Sequence, residues 1–449
     1  MTFDKIALQV PKILLPPPNT DMKHWAVIAC DQYTSDLTYW HRLQQQTQNK
    51  LSTLHLIFPE VYLNGDDSTQ RIEQINKTMH QYLADGSLVE QPPGFILLDR
   101  KTSHVDSRKG LMVALDLEQY NYNKGAKSLI RATEGTILDR LPPRIEVRKN
   151  APIELPHIMV LIDDPEHRVI EPLFEHKHEL ECVYDFDLLE NGGHLRGYRI
   201  NQPQLIAQIA RELENLADPN KYQEKYQTED EVMLYAMGDG NHSFATAKAI
   251  WEQLKQEAAT DREKQASIMS HPARYALVEL VNLHDEGLEF EAIHRVLFSV
   301  DKGELLQEMH SYFAQRHTPF KFSPCNNLAE AQQQVSSDQQ LHSFPCVIGD
   351  QFGLCSVSNP EYNLVVATLQ GFLDYYLTTH QSTEIDYIHG CNSVTALGSS
   401  PNCCGFYLPA ISKHALFKTI IVDGALPRKT FSMGAADEKR FYLECRRIK

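Results

Sequence analysis

The stretch Met237-Gly-Asp-Gly-Asn-His-Ser-Phe-Ala-Thr-Ala-Lys248 decides how the rest of the chain is read. The apolar run Val232-Met-Leu-Tyr-Ala before it predicts a short buried strand. Phe244 to Leu254 after it, rich in alanine, lysine and glutamine, predicts a helix. The stretch is therefore a strand-to-helix corner. Gly238 and Gly240 flank Asp239, which allows a tight turn and a close approach of backbone amides. The helix that follows offers unpaired N–H groups and the positive end of its dipole. A corner of this kind suits an anion, phosphate above all. Asp239, Asn241, His242 and Ser243 add a carboxylate, an amide, an imidazole and a hydroxyl at one spot. The plainer alternative is that the Asp, Asn and Ser cap the helix while His242 packs.

A chain of 449 residues has room for two or three domains, and 42% hydrophobic content with negative mean hydropathy is that of a globular protein. The start, Met-Thr-Phe-Asp-Lys-Ile, lacks a basic segment followed by an apolar run, and no stretch has the length of a membrane span, so a cytoplasmic protein is expected. Nine cysteines, an odd number without framework spacing, imply reduced thiols. The net charge of −16 argues against nucleic acid and membrane surfaces as partners. A phosphate ligand needs only a few local cations.

Elsewhere the pattern is that of mixed α/β structure. Trp25-Ala-Val-Ile-Ala predicts a strand that delivers Cys30, Asp31, Gln32 and Tyr33 at its carboxyl end, where open sheets hold ligands; alternatively Asp31 caps a helix over 37–48. An amphipathic helix is expected over 68–84, and an antiparallel pair from Phe95–Arg100 and Gly110–Leu117. Between residues 131 and 148 an otherwise acidic chain carries Arg131, Glu134, Arg140, Arg144 and Arg148. The arginines suit phosphate, and Glu134 suits a general base or a metal ligand. The alternative is an exposed helix face of weak ion pairs with Asp139 and Glu146. Ile158-Met-Val-Leu-Ile-Asp-Asp is an apolar strand ending in acids, and Asn191-Gly-Gly-His-Leu-Arg-Gly-Tyr predicts a hairpin turning at Gly192-Gly193, with His194 beside the turn. His294-Arg295 suits a proton donor and a phosphate cation, or else a helix N-terminal turn. Lys429-Thr430 supplies a point charge and a hydroxyl.

Asp239-Gly-Asn-His-Ser with Ala245-Thr-Ala resembles the D-G-H-H-R-x-x-T-A signature of the domain-of-unknown-function 1015 family, and more distantly the G-x-H-R corner of the ParB and sulfiredoxin fold. Asn241 replaces the first histidine and Ser243 the arginine, which removes a bidentate phosphate fork. Other stretches resemble the same family in order: Asp31 with Tyr33, Arg131 to Glu134 with Thr133 in a histidine's place, His194 with Tyr198, His294-Arg295, Asp386-Tyr-Ile-His389-Gly, and Pro427-Arg-Lys-Thr430. They run from about residue 25 to the C-terminus. The resemblance implies mixed α/β architecture with a ParB-like core at 176–300, between an N-terminal part at 1–175 and a C-terminal part at 301–449.

The resemblance also implies a nucleotide-dependent phosphotransferase acting on a small hydroxylated metabolite. An archaeal free-serine kinase uses a related Asp-Gly-His-His-Arg stretch, which makes serine or phosphoserine the first candidate. Asp239, His242 and Glu134 are then the expected catalytic residues. Gly238, Gly240, Asn241, Ser243, Arg131, His294, Arg295, Lys429 and Thr430 would bind phosphate or nucleotide, with Asp31, Tyr33, His194, Asp386 and His389 as secondary candidates. ATP or ADP is the expected cofactor, with magnesium on Asp239 and Glu134, and a homodimer is the expected assembly. Two other readings use the same phosphate seat: a nucleotide-binding switch without catalysis, and a phosphatase or other hydrolase.

Overall fold

The computed structural model describes residues 1–449 except Ser35, Asn64, Lys124, Thr136, Ile137, Gln339 and Ala435; the side chains of Asp139 and Ala436 also lie outside the described residues. The fold is mixed α/β with several sheets. Two compact units form, one from residues 1–289 with 433–449, the other from residues 290–432. The expected three consecutive parts differ from this division. Met159–Ile162 and Tyr275–Asn282 are parallel neighbours in one sheet, so a cut at 175 would divide a single core. The chain leaves the first unit at Glu289 and is back by Gly434, whose N–H donates to the Glu289 carbonyl.

In the first unit the main sheet runs, from one edge, through Glu181–Asp187, His194–Ile200, Phe95–Lys101, Arg108–Asp116, Tyr275–Asn282, Met159–Ile162, Tyr235–Asp239, Ile130–Arg131 and Tyr120–Asn121. The expected pair over 95–117 is antiparallel with Ile96 opposite Met112, and the hairpin closes with Asp187 opposite His194. Strand side chains alternate between faces, so both faces of this apolar sheet must be covered. Phe95, Leu97, Val113, Val160 and Met237 face a core shared with helices Pro203–Leu216 and Asn241–Ala258. Ile96, Leu98, Met112 and Leu277 face a second core shared with helices Leu37–Thr47 and Ser68–Ala84. Asp36, not Asp31, caps the first of these two helices, accepting from the Tyr39 amide.

The C-terminal segment is woven into this second core. Cys445–Arg447 pairs with Ile13–Leu15 and with Ile153–Glu154, and Phe441–Tyr442 pairs with Val27–Ile28. Its charges are buried in pairs: Arg440 with Glu279 and with Glu444, each at 2.5 Å, and Arg446 with Glu154 at 2.6 Å. Charges taken out of water this far persist only when paired.

The unit 290–432 is an antiparallel sheet in the order Phe320–Cys325, Gln351–Ser358, Leu341–Ile348, Cys403–Phe406, Phe290–Phe298 and Glu384–His389. Helices Lys302–Gln315 and Val365–Thr379 share its larger core through Leu305, Met309, Leu369 and Phe372. The short helix Cys391–Gly398 packs Val394 against Val296, Val347 and Tyr407.

Candidate functional site

The corner forms, shifted from its expected limits. The strand is Tyr235–Asp239 and the helix Asn241–Ala258, because Gly240, at φ 78°, both ends the strand and starts the helix. Asn241, His242 and Ser243 are thus the first helical turn rather than a loop, and the N-cap position falls on Gly240, which has no side chain. The capping alternative therefore fails. Asp239 Oδ1 accepts from the adjacent Gly240 amide at 2.8 Å, and the first helical bond runs from Phe244 N to Gly240 O at 2.9 Å. The two glycines serve internal packing. A Cβ on Gly238 would lie 2.7 Å from the Met433 methyl, and one on Gly240 would lie 3.0 Å from Ile158 Cα.

A cation absent from the expected set faces the corner. Lys439 Nζ lies 3.1 Å from Asp239 Oδ2, with the lysine side chain 13% exposed and the aspartate 29%. Burial alone would raise the Asp239 carboxyl; the Lys439 ammonium, His157 and the Gly240 amide outweigh it and hold the group below the usual carboxylate range. His157 ties this pair to a second acid. Its Nε2 is 3.7 Å from Asp31 Oδ2, and its Nδ1 meets the Tyr442 hydroxyl at 2.8 Å. Tyr442 donates in turn to Cys30 Sγ at 3.0 Å. Asp31 is thus brought to the corner's electrostatic neighbourhood through His157. Tyr33 stacks on Tyr39 at 4.0 Å instead.

Beside the first helical turn lies a cavity of about 130 Å³. Ser243 and Thr246 line it from the helix, with His157, Tyr442 and the Glu60–Arg144 ion pair among its polar walls and Ile57, Phe58 and Met79 among its apolar ones. Burial raises the Glu60 carboxyl, and Asp31 adds to this, against the opposing pull of Arg144. A larger cavity of about 560 Å³ shares Ile57 and Phe58 with it. There the Arg71 guanidinium lies over the Tyr62 ring at 4.0 Å, and His55 meets the Tyr82 hydroxyl at 3.0 Å.

The remaining expected residues of this unit divide. The strand Ile130–Arg131 lies parallel to Tyr235–Ala236, so Thr133 and Glu134 emerge beside the corner, with Thr133 Oγ1 3.5 Å from Asn241 Nδ2. Arg131 is 5% exposed and donates to the Ser128 and Glu231 carbonyls at 3.0 and 2.6 Å, at the ends where these strands begin. Its guanidinium is aimed away from Asp239. Arg144 and Arg148 lie on a helix, Leu141–Arg148, but pair with Glu60 and Glu154, which bind it to the body of the unit. His194 sits between Asp185 and Asp187 at 2.6 and 2.7 Å on the edge hairpin. Four strands separate that hairpin from the corner strand, roughly 24 Å at the usual strand spacing.

Among the described residues, no group of three or more His, Cys, Asp or Glu side chains is placed to hold a metal ion. Both oxygens of Asp239 are engaged, by the Gly240 amide and by Lys439. The magnesium expected on Asp239 and Glu134 does not fit this arrangement. The acids at the end of Met159–Ile162 form a separate cluster at the far end of that strand from the corner. Asp163 is bound there by His284 at 2.6 Å, by Lys225 at 2.9 Å and by the Tyr226 hydroxyl.

His294, Arg295, Asp386, His389, Lys429 and Thr430 all belong to the unit 290–432. His294 and Arg295 lie on the strand Phe290–Phe298, not on a helix turn; they face opposite sides of the sheet, and both are buried because Ile293 to Leu297 is covered on both faces. Arg295 is fully buried and donates to Gln370 Oε1 at 2.8 Å and to the Ile293 and Arg428 carbonyls at 2.7 and 3.1 Å. Those bonds lock its own sheet and loop together. The Thr430 hydroxyl closes its own turn on the Pro427 carbonyl at 2.6 Å, and Lys429 holds φ 55° in that turn. Asp386 is exposed and accepts from the Tyr387 amide; His389, also exposed, lies 3.7 Å from Glu291.

The family description that matches residues 12–376 reads "Protein of unknown function (DUF1015)". No curated protein matches the chain. Among solved structures, a conserved hypothetical protein from Pyrococcus furiosus aligns at 11% identity and TM-score 0.36, over 74% of this chain and 90% of that one. A free serine kinase in complex with AMP aligns at 12% identity and TM-score 0.38, over 78% and 95%. SbnI from Staphylococcus aureus, with a C-terminal truncation, aligns at 8% identity and TM-score 0.33, over 72% and 82%. Among the described residues no helix is long and apolar enough to cross a membrane.

Proposed function

The chain belongs to the DUF1015 family, and on that premise we propose that its strand-to-helix corner seats the phosphoryl group of a nucleotide and transfers it to a hydroxyl of a small metabolite. The observation that carries this reading is the Lys439–Asp239 pair at the head of a helix whose N-cap residue is Gly240. Phosphate oxygens would accept from the amides of the first helical turn and from the Ser243 hydroxyl. Lys439 would leave Asp239 for the phosphate. Asp239 is held ionised mainly by that ammonium against burial, so losing it raises the proton affinity of the carboxylate when an acceptor hydroxyl needs a base. Lys439 thereby takes the place of the cation missing at Ser243.

The two cavities support a ligand in two parts. The smaller lies beside the phosphate seat, and the larger falls within the size range of small-molecule pockets. Adenine nucleotide and serine are the first pair to test; that choice comes from the sequence resemblance and not from the geometry. The test is incubation of the purified chain with a panel of nucleotides and amino acids, scored for phosphorylated product. Phosphoserine formed at the expense of a nucleotide supports the proposal. Binding without turnover replaces it with the switch, and phosphate release without nucleotide replaces it with the hydrolase.

A further inference from the structure

In the unit 290–432, Cys391 opens the helix Cys391–Gly398 directly after Gly390, which holds φ 80°. Its sulfur lies 3.6 Å from Nε2 of His294. His294 is 5% exposed, and its other ring nitrogen, Nδ1, accepts the Leu408 amide at 3.0 Å. A ring nitrogen that accepts carries no proton, so the neutral imidazole bears its proton on Nε2, facing the sulfur. Burial, with Arg295 and His389 behind it, pushes the His294 pKa down to about 4, so the ring is neutral at physiological pH.

This tautomer excludes the role histidine plays beside a cysteine in acyl transfer, because Nε2 cannot take a proton it already holds. The ring is a fixed donor. A thiolate at Cys391 would accept that Nε2–H bond and would sit at the positive end of its own helix. Cys391 is half-buried, so a small reagent has access to it.

We propose that Cys391 is an oxidative modification site, whose thiolate, held by the His294 donor and the helix N-terminus, reacts with hydroperoxides. The sulfur attacks one peroxide oxygen, an S–O bond forms and the O–O bond breaks. Cysteine is oxidised by two electrons to the sulfenic acid, and the distal oxygen leaves as hydroxide, or as alkoxide from an alkyl peroxide. Six of the other eight cysteines are placed differently. Cys182 is the exposed one, and burial of its sulfur with Asp185 nearby pushes its thiol up. Burial likewise pushes up Cys30, Cys325, Cys355, Cys404 and Cys445.

The experiment treats the full chain with equimolar hydrogen peroxide, traps sulfenic acid with a dimedone probe and reads every cysteine by peptide mass spectrometry. Simple exposure favours Cys182. The proposal expects Cys391 to be labelled about tenfold faster, the worth of one hydrogen bond to a charged group. Cys391→Ser should remove the fast labelling and leave that of Cys182. His294→Leu, in protein whose circular dichroism is unchanged, should bring Cys391 down to the Cys182 rate. Labelling of Cys391 no faster than Cys182 in the unmodified chain overturns the proposal without need of any variant. Fast labelling that survives His294→Leu overturns the role of the donor.

Discussion

Lys439 and Asp239 stand 200 residues apart in the chain, yet their side chains meet at 3.1 Å in front of the helix that Gly240 starts. The pair joins the expected motif to the C-terminal segment, which lies beyond Thr430, the last residue of the expected set. It also sets the electrical state of the acid on which the proposed chemistry rests.

Replacing the lysine should show this as a dependence on pH. Asp239 is depressed in the folded chain, so the stability it contributes is present above the ordinary value of 3.8 and is lost as pH falls through the lower, folded value. Lys439→Met should cost about 1 kcal/mol at pH 7, a modest figure because the carboxylate is partly exposed. The gap should close below about pH 4. Urea denaturation at pH 7 and pH 3 measures it, and a gap of equal size at both would assign the loss to packing.

Asp239→Asn separates chemistry from structure. The amide can still accept from Gly240 but cannot take a proton, so phosphotransfer should fall by about a hundredfold or more. The melting temperature should stay within about 3 °C of the parent. A variant that keeps its rate removes Asp239 from the mechanism.

The Asp163 cluster provides an acid-sensitive support at the opposite end of the neighbouring strand. Burial pulls its carboxyl up, but His284, Tyr226 and Lys225 together bring it down to about 2. Its contribution is therefore fully present above 3.8 and lost as pH falls through 2. Asp163→Asn should cost roughly 2 kcal/mol at pH 7 and about half that at pH 3. Denaturation midpoints at the two pH values decide it, and a cost that grows on acidification would contradict the assignment.

The two corner glycines should differ in what they tolerate. Gly240→Ala meets a positive φ and a backbone atom at 3.0 Å, which should destabilise by about 1–3 kcal/mol. Gly238→Ala meets the end of a flexible methionine, which can swing aside, so its cost should be the smaller. Thermal denaturation of the two variants gives the order; the reverse order would mean that Met433 is pinned.

What could be read from the amino acids alone was local. The helix over 68–84, the pair 95–101 with 108–116, and the corner itself follow from periodicity and turn chemistry within a short window. The corner's limits were missed by three residues because glycine at φ 78° can start a helix that the polar residues after it seemed to postpone. Lys439 and His157 were not legible at all. One lies in a charged run and reaches Asp239 only through pairing of the C-terminal segment with residues 13–28 and 153–154; the other lies just before an apolar strand and is carried there by the pairing of Met159 with Asp239. Arginine was misleading for the opposite reason. Arg131 and Arg295 suit phosphate by type, but their forks are spent on carbonyl groups inside the fold.

The weaving of residues 441–447 between strands near the start of the chain also imposes a schedule on biosynthesis. Residues 290–432 are continuous and can fold as they emerge from the ribosome, whereas the body that precedes them must wait, its Glu279 and Glu154 without guanidinium partners from the late segment. The ammonium that faces Asp239 arrives with that same last segment. A nascent chain therefore cannot assemble the proposed site until residues 439–447 have joined the strands near its start.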